Sequence, residues 1–290
     1  MTLRRRLRRS AGRLTAPRDP RAPALAAPSV GDADRADAIF LVGCQRSGTS
    51  LLRRIVDSHP KIACPPETAF VGPLVHLLHD PRARKGFDGM GYGPEAVTQA
   101  LARFIASFYE SYADAQQKPR WADKTPHHVD LLEDLWTLFG PGARFVTIVR
   151  DGRDVAYSLS ERFYPAIQAS VREAGGDVPL GAARFWVAQT EKILAFEAAH
   201  PEACHRIRYE DLTADPAATL EPLFVFLGEA WDPSVTAYAD VPHHAGLEDP
   251  GVARRSSIEP NSGRHRAWAQ DVQDAVGEVC APLLARLGYA

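Results

Sequence analysis

The strongest constraint on the fold lies near the front of the chain. Ile39-Phe40-Leu41-Val42 is a continuous apolar run, Gly43 follows it, Gly48 comes five positions later, and Leu51, Leu52, Ile55 and Val56 recur at helical spacing. A run that is apolar at every position suits a strand covered on both faces. Strand, glycine-bracketed loop and helix in that order gather backbone N–H groups and the positive end of a helix dipole around an anion. Phe145-Val146-Thr147-Ile148-Val149 is a second such run, and helical stretches separate the few strands. The pattern predicts a three-layer α/β fold with a central, mainly parallel sheet flanked by helices and right-handed crossovers. Its ligand is expected at the C-terminal ends of the strands.

The spacing predicts strands over 39–43, 144–149 and 204–208. It predicts helices from Thr49 to about Ser58, near 67–79, 95–113 and 128–139, over 152–162 and 180–199, and near 216–228 and 268–287. Gly-rich stretches at 86–93 and 174–181 read as loops. With 290 residues, 45% of them apolar, the chain can bury a large core, and no apolar run reaches the roughly 18 residues of a membrane helix. It reads as soluble, without a membrane partner.

Residues 1–37 hold nine Arg against four Asp, no aromatic residue and several Pro and Ala, whereas the remainder carries a formal charge of −7. They read as a disordered Arg/Pro/Ala-rich extension preceding one domain over 38–290. An acidic domain lacks the cation surplus that duplex binding requires, so no nucleic-acid partner is expected. Four dispersed Cys without a C-x-x-C pair, and an Arg-rich start without the apolar stretch of a secretory signal, fit a cytoplasmic protein.

The loop Gly43-Cys44-Gln45-Arg46-Ser47-Gly48-Thr49-Ser50 has the G-x-x-x-x-G spacing of a nucleotide P-loop. Thr49 stands where an ATP-using loop has its Lys. Arg46 supplies a cation from within the loop instead. A kinase or NTPase would also need a strand-end Asp for Mg²⁺, but the strand over 144–149 ends in Arg150. On the next predicted helix Ser158 and Arg162 share a face, so Arg150, Ser158 and Arg162 are candidates to surround a second phosphate.

These motifs resemble the P-loop sulfotransferases that use 3′-phosphoadenosine 5′-phosphosulfate (PAPS). The resemblance rests on Cys44 to Leu52 and Arg150 to Arg162. It continues through Glu67-Thr68, Asp123-Lys124-Thr125-Pro126, Arg208-Tyr209-Glu210-Asp211-Leu212 and, weakly, Ser256 to Trp268. The order and the R-x-7-S-x-3-R spacing are most similar to the tyrosylprotein and carbohydrate branch. The resemblance implies a P-loop fold and transfer of a sulfuryl group to a hydroxyl or amine of a small metabolite, carbohydrate or peptide. By it, Arg46, Ser47, Gly48, Thr49 and Ser50 bind the 5′ end of PAPS, Arg150, Ser158 and Arg162 hold its 3′-phosphate, and Tyr209 lies near the nucleotide.

Such a transfer needs a cation at the leaving oxygen and a base at the attacking hydroxyl. Lys124, one of only five Lys beside 29 Arg, fits the first role, and Glu67 the second, at the place where the resemblance puts a carboxylate. His127 is the competing base. Ser256, Ser257, Arg264 and Arg266 resemble a segment that covers the donor, and Ser257 is carried as a third catalytic candidate. No metal is expected: in His127-His128 and His243-His244 adjacent side chains point apart. The rival readings are a P-loop kinase or NTPase, and a non-catalytic nucleotide-binding protein of the same fold.

Overall fold

The computed structural model describes residues 38–161, 165–249 and 251–289. The expected extension over 1–37 lies outside the described residues. The chain opens with strand β1 (Ile39–Val42) and helix α1 (Thr49–Ser58), then β2 (Ile62–Ala63), α2 (Val71–His79), α3 (Pro81–Met90), α4 (Pro94–Ala115) and β3 (Arg120–Asp123). It continues through α5 (Leu132–Phe139), β4 (Arg144–Val149), α6 (Gly152–Ser160), α7 (Gln168–Glu173), α8 (Val178–Ala199), β5 (Cys204–Arg208), α9 (Tyr209–Ala214), α10 (Pro216–Phe226) and α11 (Gln270–Arg286).

The five strands among the described residues are parallel, in the order β2-β3-β1-β4-β5. β1 pairs with β3 on one side (Ile39 beside Ala122) and with β4 on the other (Val42 beside Thr147). The chain runs outward from β1 to one edge and then returns to build the other, so the crevice where the order reverses opens at the C-terminal end of β1. The residues that follow β1, β3, β4 and β5 therefore converge, and they include the glycine loop, Lys124, Arg150 and Tyr209.

Alternation along β1 fills two cores. Phe40 and Val42 face Leu101, Ile105, Tyr109, Leu135 and Phe196 from α4, α5 and α8, whereas Ile39 and Leu41 face Leu52, Ile55, Leu220 and Phe224 from α1 and α10. All four β1 residues are fully buried, which makes this strand the rigid base of the loop that follows it. A third core joins α6, α8 and α11 through Leu159, Trp186 and Leu283. Among the described residues no helix is long and apolar enough to cross a membrane.

Several expected elements change. The helix expected from 67 starts only at Val71, because Glu67 instead forms an antiparallel bridge with Leu247. Residues 86–90, read as loop, end α3, which Asp80 caps from its carboxylate and Pro81 opens. The loop reading over 174–181 holds only to Asp177, which caps α8. The stretch near 128 is a 3₁₀ turn over Pro126–Leu131 before α5 begins. β2 and β3 were not expected as strands: they are short, and β3 begins and ends on charged residues.

Candidate active site

The loop after β1 is built to receive an anion. Ser47 N–H closes a turn on the Cys44 carbonyl at 3.1 Å, and Arg46 takes a φ of +73°, a conformation that a non-glycine residue adopts at a cost of about 1–3 kcal/mol and that is retained mainly where surroundings require it. Gly48 has a φ of +101°, and a Cβ there would lie 2.5 Å from Tyr209 Cδ2, so only glycine fits. As N-cap of α1, Gly48 offers no side-chain acceptor, and the first turn of α1 contains no acidic residue. The positive helix end is thus left for a ligand. The Ser47 hydroxyl is buried and has no hydrogen-bond partner among the described residues, a donor waiting for an acceptor. Burial pushes the Cys44 thiol far up, so this loop cysteine is a neutral core side chain.

Arg150, at the end of β4, is 5% exposed. Its guanidinium lies 4.5 Å over the Tyr209 ring, and Nη1 donates to the Arg46 carbonyl at 3.0 Å while Nη2 donates to the Asn261 carbonyl. Tyr209 is itself buried, with its hydroxyl 3.5 Å from the Glu259 carbonyl. Ser158 on α6 accepts from Arg46 Nε at 2.9 Å. The two motifs read separately in the sequence therefore form one site, linked by an Arg46–Ser158 contact and an Arg150–Arg46 contact. Arg162, the last member expected there, lies outside the described residues.

Lys124 follows β3 and is fully buried. Its ammonium donates to Glu67 Oε1 at 2.5 Å and to Ser50 Oγ at 3.4 Å. Glu67 is held from two sides: its N–H donates to the Leu247 carbonyl at 2.9 Å, and the neighbouring Thr68 hydroxyl meets Tyr109 Oη at 2.8 Å. Behind Lys124, the fully buried Asp123 accepts from Thr125 Oγ1 at 3.1 Å and lies 3.2 Å from His128 Nδ1. Burial lowers the His128 pKa against the opposing pull of Asp123. His127 is exposed, with its ring 3.5 Å from the Gln45 amide, so the structure brings Glu67 rather than His127 to Lys124. Ser257 Oγ donates to Glu259 at 2.6 Å and lines neither cavity of the site, while Arg264 pairs with Glu161 at 3.0 Å.

A segment that among the described residues has no α-helix and only the Glu67–Leu247 bridge closes over the loop. His243 Nδ1 lies 2.6 Å from Asp57, Glu248 binds Arg53 at 2.7 Å and Arg54 at 2.6 Å, and Asp249 Oδ2 lies 2.9 Å from Arg46 Nη1. Burial pushes the Glu248 carboxyl up, but the two guanidinium groups outweigh it and hold it below the ordinary carboxylate value. Two cavities remain. One of about 480 Å³ is bordered by Gln45, Ser50, Glu67, Pro126 and Leu247, and a narrow one of about 60 Å³ by Gly48, Arg150, Tyr209 and Asn261; Arg46 and Asp249 border both. Glu248 and Asp249 gave no sign in the sequence, because their partners are distant in the chain and no local pattern marks an acid that will meet one.

The sequence profile described as the Sulfotransferase family matches residues 38–233, most of the chain. The chain belongs to the sulfotransferase family. Protein-tyrosine sulfotransferase A of Caenorhabditis elegans is 27% identical over 268 residues, covering 87% of this chain and 67% of that protein. Protein-tyrosine sulfotransferase 1 of Danio rerio is 28% identical over 270 residues, covering 87% and 72%. Among solved structures, the sulfotransferase domain from the curacin biosynthetic pathway aligns over 87% of this chain and 97% of its own, with a TM-score of 0.55 at 20% identity, a likeness of fold. This sulfotransferase is therefore an enzyme of the α/β architecture expected from its first strand and loop, and the kinase reading falls away with the family match.

Proposed function

We propose that this sulfotransferase moves the sulfuryl group of PAPS to a hydroxyl acceptor. The observation that carries this reading is the placement of Lys124, enclosed between the Glu67 carboxylate and Ser50 of the anion loop. The donor loop and a proton acceptor thus share one cation. In the proposed step the acceptor oxygen attacks sulfur, a new S–O bond forms, and the bond from sulfur to the 5′-phosphate oxygen breaks. The hydroxyl proton passes to Glu67, and the Lys124 ammonium stabilises charge growing on the departing oxygen.

The 5′ end of PAPS is assigned to Arg46, Ser47, Gly48, Thr49 and Ser50, where an uncapped helix end and the unpartnered Ser47 hydroxyl supply donors. The 3′-phosphate is assigned to Arg150 with Ser158 and Arg162, and the nucleotide to the neighbourhood of Tyr209. Ser257 is assigned to the cover of the donor. The larger cavity beside Glu67 is assigned to the acceptor. The names of the C. elegans and D. rerio relatives support tyrosine in a peptide as the first acceptor class to offer, with carbohydrate and small hydroxyl compounds beside it.

Accurate-mass analysis of products after parallel incubations with PAPS and with Mg²⁺-ATP, each with a panel of these acceptors, tests the reading. The expected result is one acceptor class gaining SO₃ and stoichiometric adenosine 3′,5′-bisphosphate. Gain of HPO₃ from ATP, or bisphosphate release without an acceptor product, would overturn it.

A further inference from the structure

Arg46 points its guanidinium in two directions. Nε donates to Ser158 at 2.9 Å, and Nη1 lies 2.9 Å from the Asp249 carboxylate. The carboxylate is itself fixed, since its other oxygen accepts from Gly251 N–H at 3.1 Å and the Asp249 N–H lies 3.4 Å from Ser50 Oγ. Asp249 borders both the large cavity beside Glu67 and the narrow one beside Arg150 and Tyr209. A negative charge of the chain's own therefore sits against the loop cation, between the two spaces. Its neighbour Glu248 also borders the larger cavity but differs, because its carboxylate is bound to Arg53 and Arg54 rather than to Arg46.

We propose that Asp249 is a resident anion of the donor loop, a carboxylate that occupies the Arg46 fork until the donor's phosphosulfate or the product's 5′-phosphate displaces it. The proposal rests on the assignment of loop 43–50 to the donor's 5′ end. A guanidinium fork can serve a carboxylate or a phosphate oxygen in the same way, so the two anions compete for one set of donors. If both stay, they repel at short range in a partly exposed site, where the penalty is moderate and weakens with salt. Either way Asp249 lowers affinity for donor and product alike and returns to Arg46 as product departs. That sets how tightly the enzyme holds a product bearing two phosphates.

Titration calorimetry of the full chain with adenosine 3′,5′-bisphosphate is the test, with Asp249→Asn, Asp249→Ser, Asp249→Glu and Arg150→Ala beside the unaltered enzyme. Asp249→Asn and Asp249→Ser are expected to bind about three- to tenfold more tightly, more so at low salt, while Asp249→Glu stays within about twofold of the unaltered enzyme. The KM for PAPS should fall in parallel. Tighter binding is a result that loss of a merely structural contact does not give, and thermal melting confirms that each variant is folded. Unchanged or weaker binding in folded Asp249→Asn and Asp249→Ser overturns the proposal. If Arg150→Ala still weakens binding in that case, the donor-site assignment stands and only this inference fails. An unaltered enzyme that does not bind the bisphosphate overturns both.

Discussion

The anion loop at 43–48 and the covering segment at 241–263 border the same cavities, yet they are held in place by opposite means. The loop is fixed by its own neighbours in sequence: a fully buried strand precedes it, a helix follows it, and Gly48 closes against Tyr209. Among the described residues the covering segment has no α-helix and only the single Glu67–Leu247 bridge, and it is tied down by side chains far away in the chain, with Glu248 bound to Arg53 across 195 positions and His243 to Asp57 across 186. Backbone geometry defines the first; ion pairs, with Val252 seated in the core, hold the second. Apart from Gly48, where only glycine fits, substitutions of side chains in the loop and at the strand ends should therefore cost binding or chemistry with little loss of stability. Substitutions at the anchors of the cover should cost stability first.

The largest effect is expected where the two regions meet. Glu67 belongs to the strand-end site through Lys124 and to the cover through its bridge with Leu247. Glu67→Gln keeps the shape and removes the basicity, so kcat should fall by roughly 10²- to 10⁴-fold with bisphosphate affinity nearly unchanged. Lys124→Ala should lower kcat by about 10²- to 10³-fold, and His127→Ala should be mild. Steady-state kinetics checks all three. A normal kcat in Glu67→Gln with a collapsed one in His127→Ala would transfer the base to the exposed His127.

The next pair separates the regions. Glu248→Gln leaves the fully buried Arg53 with only the more distant Asp57 carboxylate, at 3.7 Å, and removes the charge that Arg54 also binds; weakening such a buried pair should cost roughly 2–3 kcal/mol and appear as a clear drop in melting temperature. Arg150→Ala removes charge-assisted bonds to the donor and should weaken bisphosphate binding by about 2–3 kcal/mol, read by calorimetry, with a smaller change in melting temperature. Were Glu248→Gln to melt normally, the cover would be held by something other than its ion pairs, and the contrast between the two regions would break.

The same contrast explains what could be read before the structure. β1 with its loop and β4 ending in Arg150 were legible because apolar runs and glycine spacing are local signals. The joining of Arg46 to Ser158 was not, since it depends on two crossovers bringing α6 beside the loop. β3 escaped because Arg120-Trp121-Ala122-Asp123 is only four residues long with a charge at each end and neither an apolar run nor an alternation, and it becomes a strand through pairing with β1 and β2. The start of α3 carried a readable signal in Asp80-Pro81, a cap followed by a first-turn proline, which the glycines at 86 and 89 obscured. Asp249 had no signal at all, because an acid between Glu248 and a proline looks like any solvated turn.

The smallest expected effect probes the far anchor of the cover and depends on pH. Asp154 on α6 is 1% exposed and accepts from Gly263 N–H at 2.7 Å, from His265 N–H at 3.1 Å and from His265 Nδ1 at 2.9 Å. Burial pushes its carboxyl up, but the His265 ring, the two backbone donors and Arg150 together outweigh burial and hold the folded value below the ordinary 3.8. A carboxyl with a folded pKa below its unfolded one adds stability that is present in full above the unfolded value and is lost as pH falls through the folded one. Asp154→Asn keeps one acceptor oxygen where the carboxylate has two, so it can serve His265 or Gly263 but not both, and it loses the charge; at neutral pH it should cost about 1–2 kcal/mol, less than Glu248→Gln. The gap in melting temperature between the unaltered enzyme and Asp154→Asn should be flat from neutrality to about pH 5 and should narrow below about pH 4, as the unaltered enzyme gives up the contribution that the variant never had. A gap that widens in acid would mean that Asp154 is protonated more readily in the folded enzyme than in the unfolded chain, and that burial, not its three donors, governs this anchor.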